Sequence, residues 1–208
     1  MRKLLASLTL SLCLPLSVFA ESTYQTPTGC SHPFLDAQGH AYEEEICFLY
    51  SQGVVEGYSQ RSFAPEQNLT RAEFLKIAIL NLGYSVTPVQ SQSFTDTNSG
   101  DWYFRYVTFA RSKGWVQGYT DGSFRPNNSI TRAEAITMTM NIAGIRAPYP
   151  LDLNAFDDVD PSAWYAQSVA AAAQYDIIDI FEPYFDPNSP IRRGEMAVIA
   201  VRTWEVLF

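Results

Sequence analysis

The sequence predicts an all-α fold built from three helix-loop-helix repeats packed as a pseudo-threefold spindle. Three observations lead there: a motif that returns every 61 positions, apolar residues at helical spacing, and helix-start signals at the same place in each copy. Gly57-Tyr58, Ser62-Phe63, Pro65 and Thr70-Arg71-Ala72-Glu73 recur as Gly118-Tyr119, Ser123-Phe124, Pro126 and Thr131-Arg132-Ala133-Glu134. That is nine identities in the seventeen positions from 57 to 73, where unrelated sequence gives about one. A worn third copy follows, with Phe185, Pro187, Ile191, Arg193 and Glu195 matching Phe124, Pro126, Ile130, Arg132 and Glu134. An aromatic-x-Asp opening precedes each copy: Phe34-Leu35-Asp36, Phe94-Thr95-Asp96 and Phe156-Asp157-Asp158. The units are expected over 34–86, 94–146 and 156–208.

Residues 1–20 read as a secretory signal peptide, with basic Arg2-Lys3, an uncharged apolar run from Leu4 to Val18, and a small-residue cleavage site at Val18-Phe19-Ala20. The rival reading, a membrane anchor, needs about 20 apolar residues, more than this run offers. Residues 21–33 form an N-terminal extension. Export leaves Cys30 and Cys47, 17 positions apart, which are expected to form one disulfide in an oxidising compartment. Without C-x-x-C spacing they do not read as a metal site.

Within the units the elements follow in order. Glu43-Glu44-Glu45 suits the first turn of a helix, where negative charge meets the positive end of the dipole. Tyr103, Tyr106, Val107 and Ala110 fall at i, i+3, i+4 and i+7 and stop at Gly114. Asp160-Pro161 offers an N-cap and a first-turn proline for the matching helix of the third unit. Thr-Arg-Ala-Glu is a capping box, in which the Thr hydroxyl accepts from the N3 amide while the Glu carboxylate accepts from the N-cap amide. Leu69 with Phe74, and Ile191 with Met196, form hydrophobic staples across those starts. Gly83 and Gly144 end the helices, and residues 87–93 and 146–154 read as linkers. Helices this short bury a core only by sharing it, and grooves between units, lined by the Gly-Tyr loops and the capping-box arginines, follow.

Composition narrows function. The net charge is −8, and removing Arg2 and Lys3 takes it to −10. No nucleic-acid or anionic membrane partner is expected, because both reward Lys and Arg. Two histidines and three cysteines leave little material for acid/base, nucleophilic or zinc chemistry. Glu43–Glu45 and Asp157, Asp158 and Asp160 have structural readings, and the last three lack the ligand spacing of an EF-hand. No catalytic residue, cofactor or metal is expected, and no stretch outside the repeats is free for a catalytic domain.

The order aromatic-x-Asp, aromatic helix ending in Gly, Gly-Tyr-x-Asp-Gly-x-Phe-x-Pro and Ile-Thr-Arg-Ala-Glu resembles the S-layer homology repeat, which Gly118 to Glu134 follow almost residue for residue. The resemblance covers about 34–207. It implies a secreted, three-pronged helical module of the cell wall, S-layer or periplasmic envelope. Its partner would be a cell-wall glycan: a secondary polymer carrying pyruvylated amino sugars, or modified peptidoglycan. The alternative is an envelope protein-interaction module with vestigial sugar grooves.

Carried over by position, the resemblance implies a ligand site at Arg71 with Glu73, Arg132 with Glu134, and Arg193. To these it adds the loop residues Gly118, Tyr119, Asp121 and Gly122 and the openings Asp36 and Asp96. Each arginine would clamp a carboxylate beside free helix amides; the competing role is an ion pair with the opening aspartate. Tyr42, Trp102 and Trp164 align as sugar-stacking rings, or as core aromatics. Gln60-Arg61 replaces Asp121-Gly122, so the first loop is expected to differ. In the third unit Asp179–Tyr184 replaces the Gly-Tyr loop and Arg192-Arg193-Gly194 replaces Thr-Arg-Ala, so the cap is lost. These departures rank Arg132 first, Arg71 second and Arg193 last for binding.

Overall fold

The computed structural model describes residues 30–87, 89, 93–146, 152–180 and 182–208. The expected signal peptide and most of the expected N-terminal extension lie outside them, as do parts of both expected linkers. Among the described residues six helices run in order: α1 Glu43–Ser51, α2 Arg71–Asn81, α3 Phe104–Ser112, α4 Arg132–Ala143, α5 Ala166–Gln174 and α6 Arg193–Leu207. Among the described residues there are only isolated bridges and no strands. None of these helices is long and apolar enough to cross a membrane.

Local chemistry sets the helix starts. Thr70 and Thr131 adopt extended backbone and complete the predicted capping boxes with Glu73 and Glu134. In the third unit only half of the box survives. The Glu195 carboxylate accepts the Arg192 N–H at 2.8 Å, while the arginine side chain has no oxygen to offer the N3 amide. The staple residues Leu69, Phe74, Ile191 and Met196 are all buried. Gly144 ends α4 in the left-handed conformation.

One start differs from expectation. α5 begins at Ala166, after Tyr165, and Asp160 instead closes its own turn by accepting the Ser162 N–H at 2.8 Å. An Asx turn satisfied the aspartate locally, so it was not available as a cap. The residues preceding α1, α3 and α5 are Tyr42, Tyr103 and Tyr165. Tyr42 therefore corresponds to Tyr103 and Tyr165, one position away from the tryptophans with which it was aligned.

The packing is cyclic. The capping-box helices α2, α4 and α6 touch one another, while α3 lies on α2, α5 on α4, and α1 on α6. Each outer helix thus leans on the inner helix of the preceding unit, and the first leans on the last. The Asn81 side chain adds a 2.8 Å bond to the Ala200 carbonyl across α2 and α6.

Every unit repeats one buried pair of rings: Phe34 with Phe63, Phe94 with Phe124, and Phe156 with Phe185, at 5.5–5.6 Å between centroids. Gly118 is required there, because a Cβ would strike the Phe94 ring and the Ser123 carbonyl. Cys30 and Cys47 are bridged, with Cα atoms 6.0 Å apart, tying the segment before the first unit to α1.

Candidate functional site

The site begins at the N-termini of α2, α4 and α6, where the first amides of a helix lack partners within it. The fold supplies them from the next unit. Arg71 and Ala72 donate their N–H groups to the carbonyls of Asn128 and Pro126, Arg132 and Ala133 to Ser189 and Pro187, and Arg193 and Gly194 to Gln67 and Pro65, at 2.8–3.0 Å. This corrects one expectation. No free helix amides are left beside the arginines to receive a carboxylate, because neighbouring backbone already occupies them.

The opening aspartates are also engaged. Asp36 accepts the N–H groups of Phe63 and Ala64 and the Ser62 hydroxyl at 2.7–2.8 Å. Asp96 accepts from Phe124 and Arg125 at 2.7–2.8 Å. Burial works against the charge of Asp36, but those three donors outweigh it and hold its carboxyl below the usual range. These bonds, with those of Phe185 and Asp186 to Asp158 at 2.8 Å in the third unit, fix Ala64, Arg125 and Asp186 at φ 55–60°, left-handed residues that precede prolines. Asp36 and Asp96 are loop clamps, and neither forms the ion pair with an arginine proposed for it.

Each arginine instead reaches into the next unit. Arg71 Nε donates to the Phe124 carbonyl at 2.9 Å, and a terminal nitrogen pairs with Glu134 at 3.1 Å. Its guanidinium lies 5.1 Å from the Tyr119 ring and 4.9 Å from the Phe124 ring, leaving the side chain 8% exposed. Arg132 makes the same two bonds one unit later, to the Phe185 carbonyl at 2.7 Å and to Glu195 at 2.5 Å. Among the described residues it lies over Phe185 alone, and it is 25% exposed. Arg193 stacks on Tyr58 and Phe63 of the first unit and donates to the Glu56 carbonyl, while its buried Nε has no partner.

Two grooves between units are defined by their linings, and their membership differs from the sequence expectation. Arg132, taken to serve the second unit's loop, faces the altered third loop across a groove of about 470 Å³ that includes Asp179, Glu182, Tyr184, Glu195 and Val198. Arg71 faces the intact second loop, with Tyr119 and Glu134. Arg193 lines a groove of about 220 Å³ with Gly57, Tyr58, Glu73, Lys76 and Trp102. Its walls come from all three units.

The capping-box glutamates link these parts. Glu73 accepts the Thr70 N–H and hydroxyl and the Tyr58 hydroxyl at 2.8–2.9 Å, and Tyr119 donates likewise to Glu134. Burial first, then the glutamate, pushes both phenols up, so they stay protonated donors. Asp121 is held within its own turn, pushed down to about 2 by the Ser123 hydroxyl and amide and by Arg125. Gly122 takes φ +79° and accepts the Thr95 N–H. In the first unit, where Gln60-Arg61 stands, the loop instead closes one residue tighter, from Ser59 N–H to the Ser62 carbonyl.

Trp102 and Trp164 are 52% and 65% exposed, so neither is a core aromatic. Tyr42 is half-buried, and its ring fills the space a Cβ on Gly194 would need. That contact explains why the third unit has glycine where the others have alanine. Lys76 was missed by sequence reasoning. It shares the repeat position of Thr137 and Val198, and the only available signal was a charge at one copy of three.

Comparison with known proteins now adds a family. The model of the S-layer homology domain matches residues 33–75, 93–136 and 155–197. A surface layer protein of Brevibacillus choshinensis is 32% identical over 62% of this chain and 11% of its own length. The middle cell wall protein of Brevibacillus brevis is 26% identical over 90% of this chain and 16% of its own. An endoglucanase of a Bacillus strain is 26% identical over 98% of this chain and 22% of its own. The chain thus spans a small part of each of these relatives.

Proposed function

Because the chain belongs to the S-layer homology family, we propose that it holds non-covalently to a cell-wall polymer through the grooves between its units. The family match and the surface and wall proteins among its relatives support a cell-surface or cell-wall location and an anchoring role. The matched region is a binding module, and catalysis in a relative such as the endoglucanase is assigned to no residue of this chain.

One observation carries the reading: the groove at Arg193 joins Tyr58 and Glu73 of the first unit, Trp102 of the second and Arg193 of the third around a space of about 220 Å³. An exposed indole beside fixed polar groups is what a sugar requires, since its apolar face stacks while its hydroxyls and charges are read at the edges. By repeat correspondence, Arg71, Tyr119 and Glu134, with Trp164 at the position of Trp102, are a second site of the same design. In both, the arginine secures the wall between units and adds positive potential.

Cosedimentation with purified cell-wall sacculi tests this. Binding to intact sacculi that falls when secondary polysaccharide is chemically stripped supports a glycan polymer, and binding that survives stripping points to peptidoglycan. Failure to bind either would favour the protein-interaction alternative, for which the altered loop of the third unit supplies exposed Ile180 and Tyr184.

A further inference from the structure

We propose that the first unit carries a separate site on its own face, next to the Arg193 groove, that takes the peptide branch of peptidoglycan. The inference rests on the wall-polymer reading above and deepens it, because a peptide branch distinguishes peptidoglycan from a secondary polysaccharide.

This site is a groove of about 690 Å³ whose lining includes Leu35, Tyr50, Glu56, Gly57, Gln60 and Arg61, a volume within the roughly 300–1,000 Å³ of ligand sites. Glu56 and Gly57 also line the groove with Trp102 and Arg193, so the two spaces adjoin. The units differ at the positions that shape it. The Leu35 N–H donates to the Arg61 carbonyl, Thr95 to Gly122 and Asp157 to Pro183, at 2.8–3.0 Å. An apolar residue facing a cation therefore stands where the other units pair threonine with glycine and aspartate with proline. Eight residues after the tyrosine that precedes each outer helix come Tyr50, Arg111 and Ala173. The Arg111 guanidinium covers the Phe94 ring at 4.2 Å, whereas Tyr50 meets Phe34 edge-on, with centroids 5.1 Å apart.

The chemistry of the groove is that of a peptide. Leu35 and Tyr50 are both exposed and make an apolar wall. Among the described residues no hydrogen bond or ion pair engages the Glu56 carboxylate or the Arg61 guanidinium, and the two are not paired with each other. An apolar wall flanked by two opposite, unpaired charges complements a chain that carries methyl groups, a carboxylate and an amine. The stem peptide of peptidoglycan carries all three, in its alanines, its glutamate and its diamino acid. A peptide-free acidic polysaccharide would meet repulsion from Glu56. The stem peptide leaves the muramic acid ring through the lactyl group, so the space adjoining a sugar on Trp102 is where it must lie.

The experiment measures affinity of the whole protein for two probes by calorimetry. One is the disaccharide of N-acetylglucosamine and N-acetylmuramic acid, and the other is the same disaccharide carrying its tetrapeptide of alanine, glutamate, diaminopimelate and alanine. Wild type should bind the peptide-bearing probe about tenfold more tightly than the bare one. Leu35→Ser and Arg61→Gln should each remove most of that advantage and leave the bare disaccharide unchanged, whereas Trp102→Ala should weaken both probes alike. Melting curves confirm that each variant is folded. If the peptide adds no affinity, or if either variant keeps the full advantage, the inference falls and the wall-polymer reading stands. If wild type holds sacculi but neither probe, the polymer is peptide-free and again the inference alone falls. If it holds neither probes nor sacculi, both fall together.

Discussion

The backbone N–H of Ile191 donates to the carbonyl of Ile130 at 3.0 Å, and Leu69 closes the circle by donating to Ile191 and accepting from Ile130. These are the residues just before the three capping-box helices, and all three side chains are fully buried. A unit that left this ring would strand buried amides and carbonyls in the other two, at about 1 to 3 kcal/mol for each unmet group. Three copies of one motif are thus locked into a single folding unit.

The first prediction is cooperativity. Ile130→Ala should destabilise by about 2 to 5 kcal/mol, and all three units should still melt together. Far-ultraviolet circular dichroism and tryptophan fluorescence should give one midpoint, since the chain's four tryptophans include Trp102 in the second unit and Trp204 in the third. Separate midpoints would mean that the units fold independently.

The second concerns the helix caps. Thr131→Ala removes the hydroxyl that accepts the Glu134 N–H and should cost about 1 kcal/mol. Arg192→Thr should work the other way, restoring an acceptor at the third helix. It loses an exposed pair with Glu66 that contributes less than about 1 kcal/mol. A raised melting temperature is expected, and a lowered one would show that the Glu66 pair outweighs the cap.

These caps also show what was legible in the sequence. The Thr-Arg-Ala-Glu boxes, the staples and the buried stripe of α3 depend on residues a few positions apart, and local spacing identified them. The start of α5 was misplaced because Asp160 had a local turn to satisfy. The arginine grooves were assigned to the wrong loops because their partners are cyclic. Arg71 meets Phe124, and Arg193 returns to Tyr58, contacts fixed only when the last unit meets the first. The amides thought free beside the arginines were occupied for the same long-range reason.

The third prediction follows from the Asp36 clamp. Its ionised form accepts three hydrogen bonds in the folded chain, so its pKa lies below the ordinary 3.8. A depressed carboxylate stabilises fully above the unfolded value and loses that contribution as pH falls through the folded one. Asp36→Asn should therefore be less stable than wild type from neutral pH down to about pH 5, with the gap closing below about pH 4. A gap that stays constant to pH 2 would show that the bonds do not depend on the charge. In the same loop, Ala64→Gly should be neutral or stabilising, because it relieves a left-handed alanine whose strain of about 1 to 2 kcal/mol offsets the added chain entropy.

The fourth concerns the disulfide. Cys30→Ser should lower stability by about 2 to 4 kcal/mol through the loop that the bridge closes on α1. Ligand binding should persist in the folded variant, since neither cysteine lines a groove. Loss of binding by a protein that still melts cooperatively would place the bridge in the site.

The last prediction ranks the grooves. Sequence alone put Arg132 first, but the structure sets it against Asp179, Glu182 and Glu195, where the Gly-Tyr loop is gone and Ala41 replaces the tryptophan. An intact tyrosine-glutamate pair is kept at Arg193 and at Arg71; Trp102 lines the Arg193 groove, and Trp164 holds the same repeat position for Arg71. Trp102→Ala and Trp164→Ala should therefore each weaken sacculus binding several-fold. The double variant should lose far more than either, because two sites on one polymer act through effective concentration. Substitutions of the arginines themselves are poor first tests. Arg71 and Arg193 are buried pins: removing Arg71 breaks its buried pair with Glu134, at about 3 to 5 kcal/mol of stability, and removing Arg193 strips the Glu56 carbonyl and two rings of their partner, so lost binding would be confounded with lost folding. Arg132 is partly exposed, and Arg132→Lys keeps the Glu195 attraction without the bidentate fork. It should bind sacculi as wild type does, with its melting temperature slightly reduced. If Arg132→Lys abolishes binding while the double tryptophan variant retains it, the third groove is the site and the other two are structural.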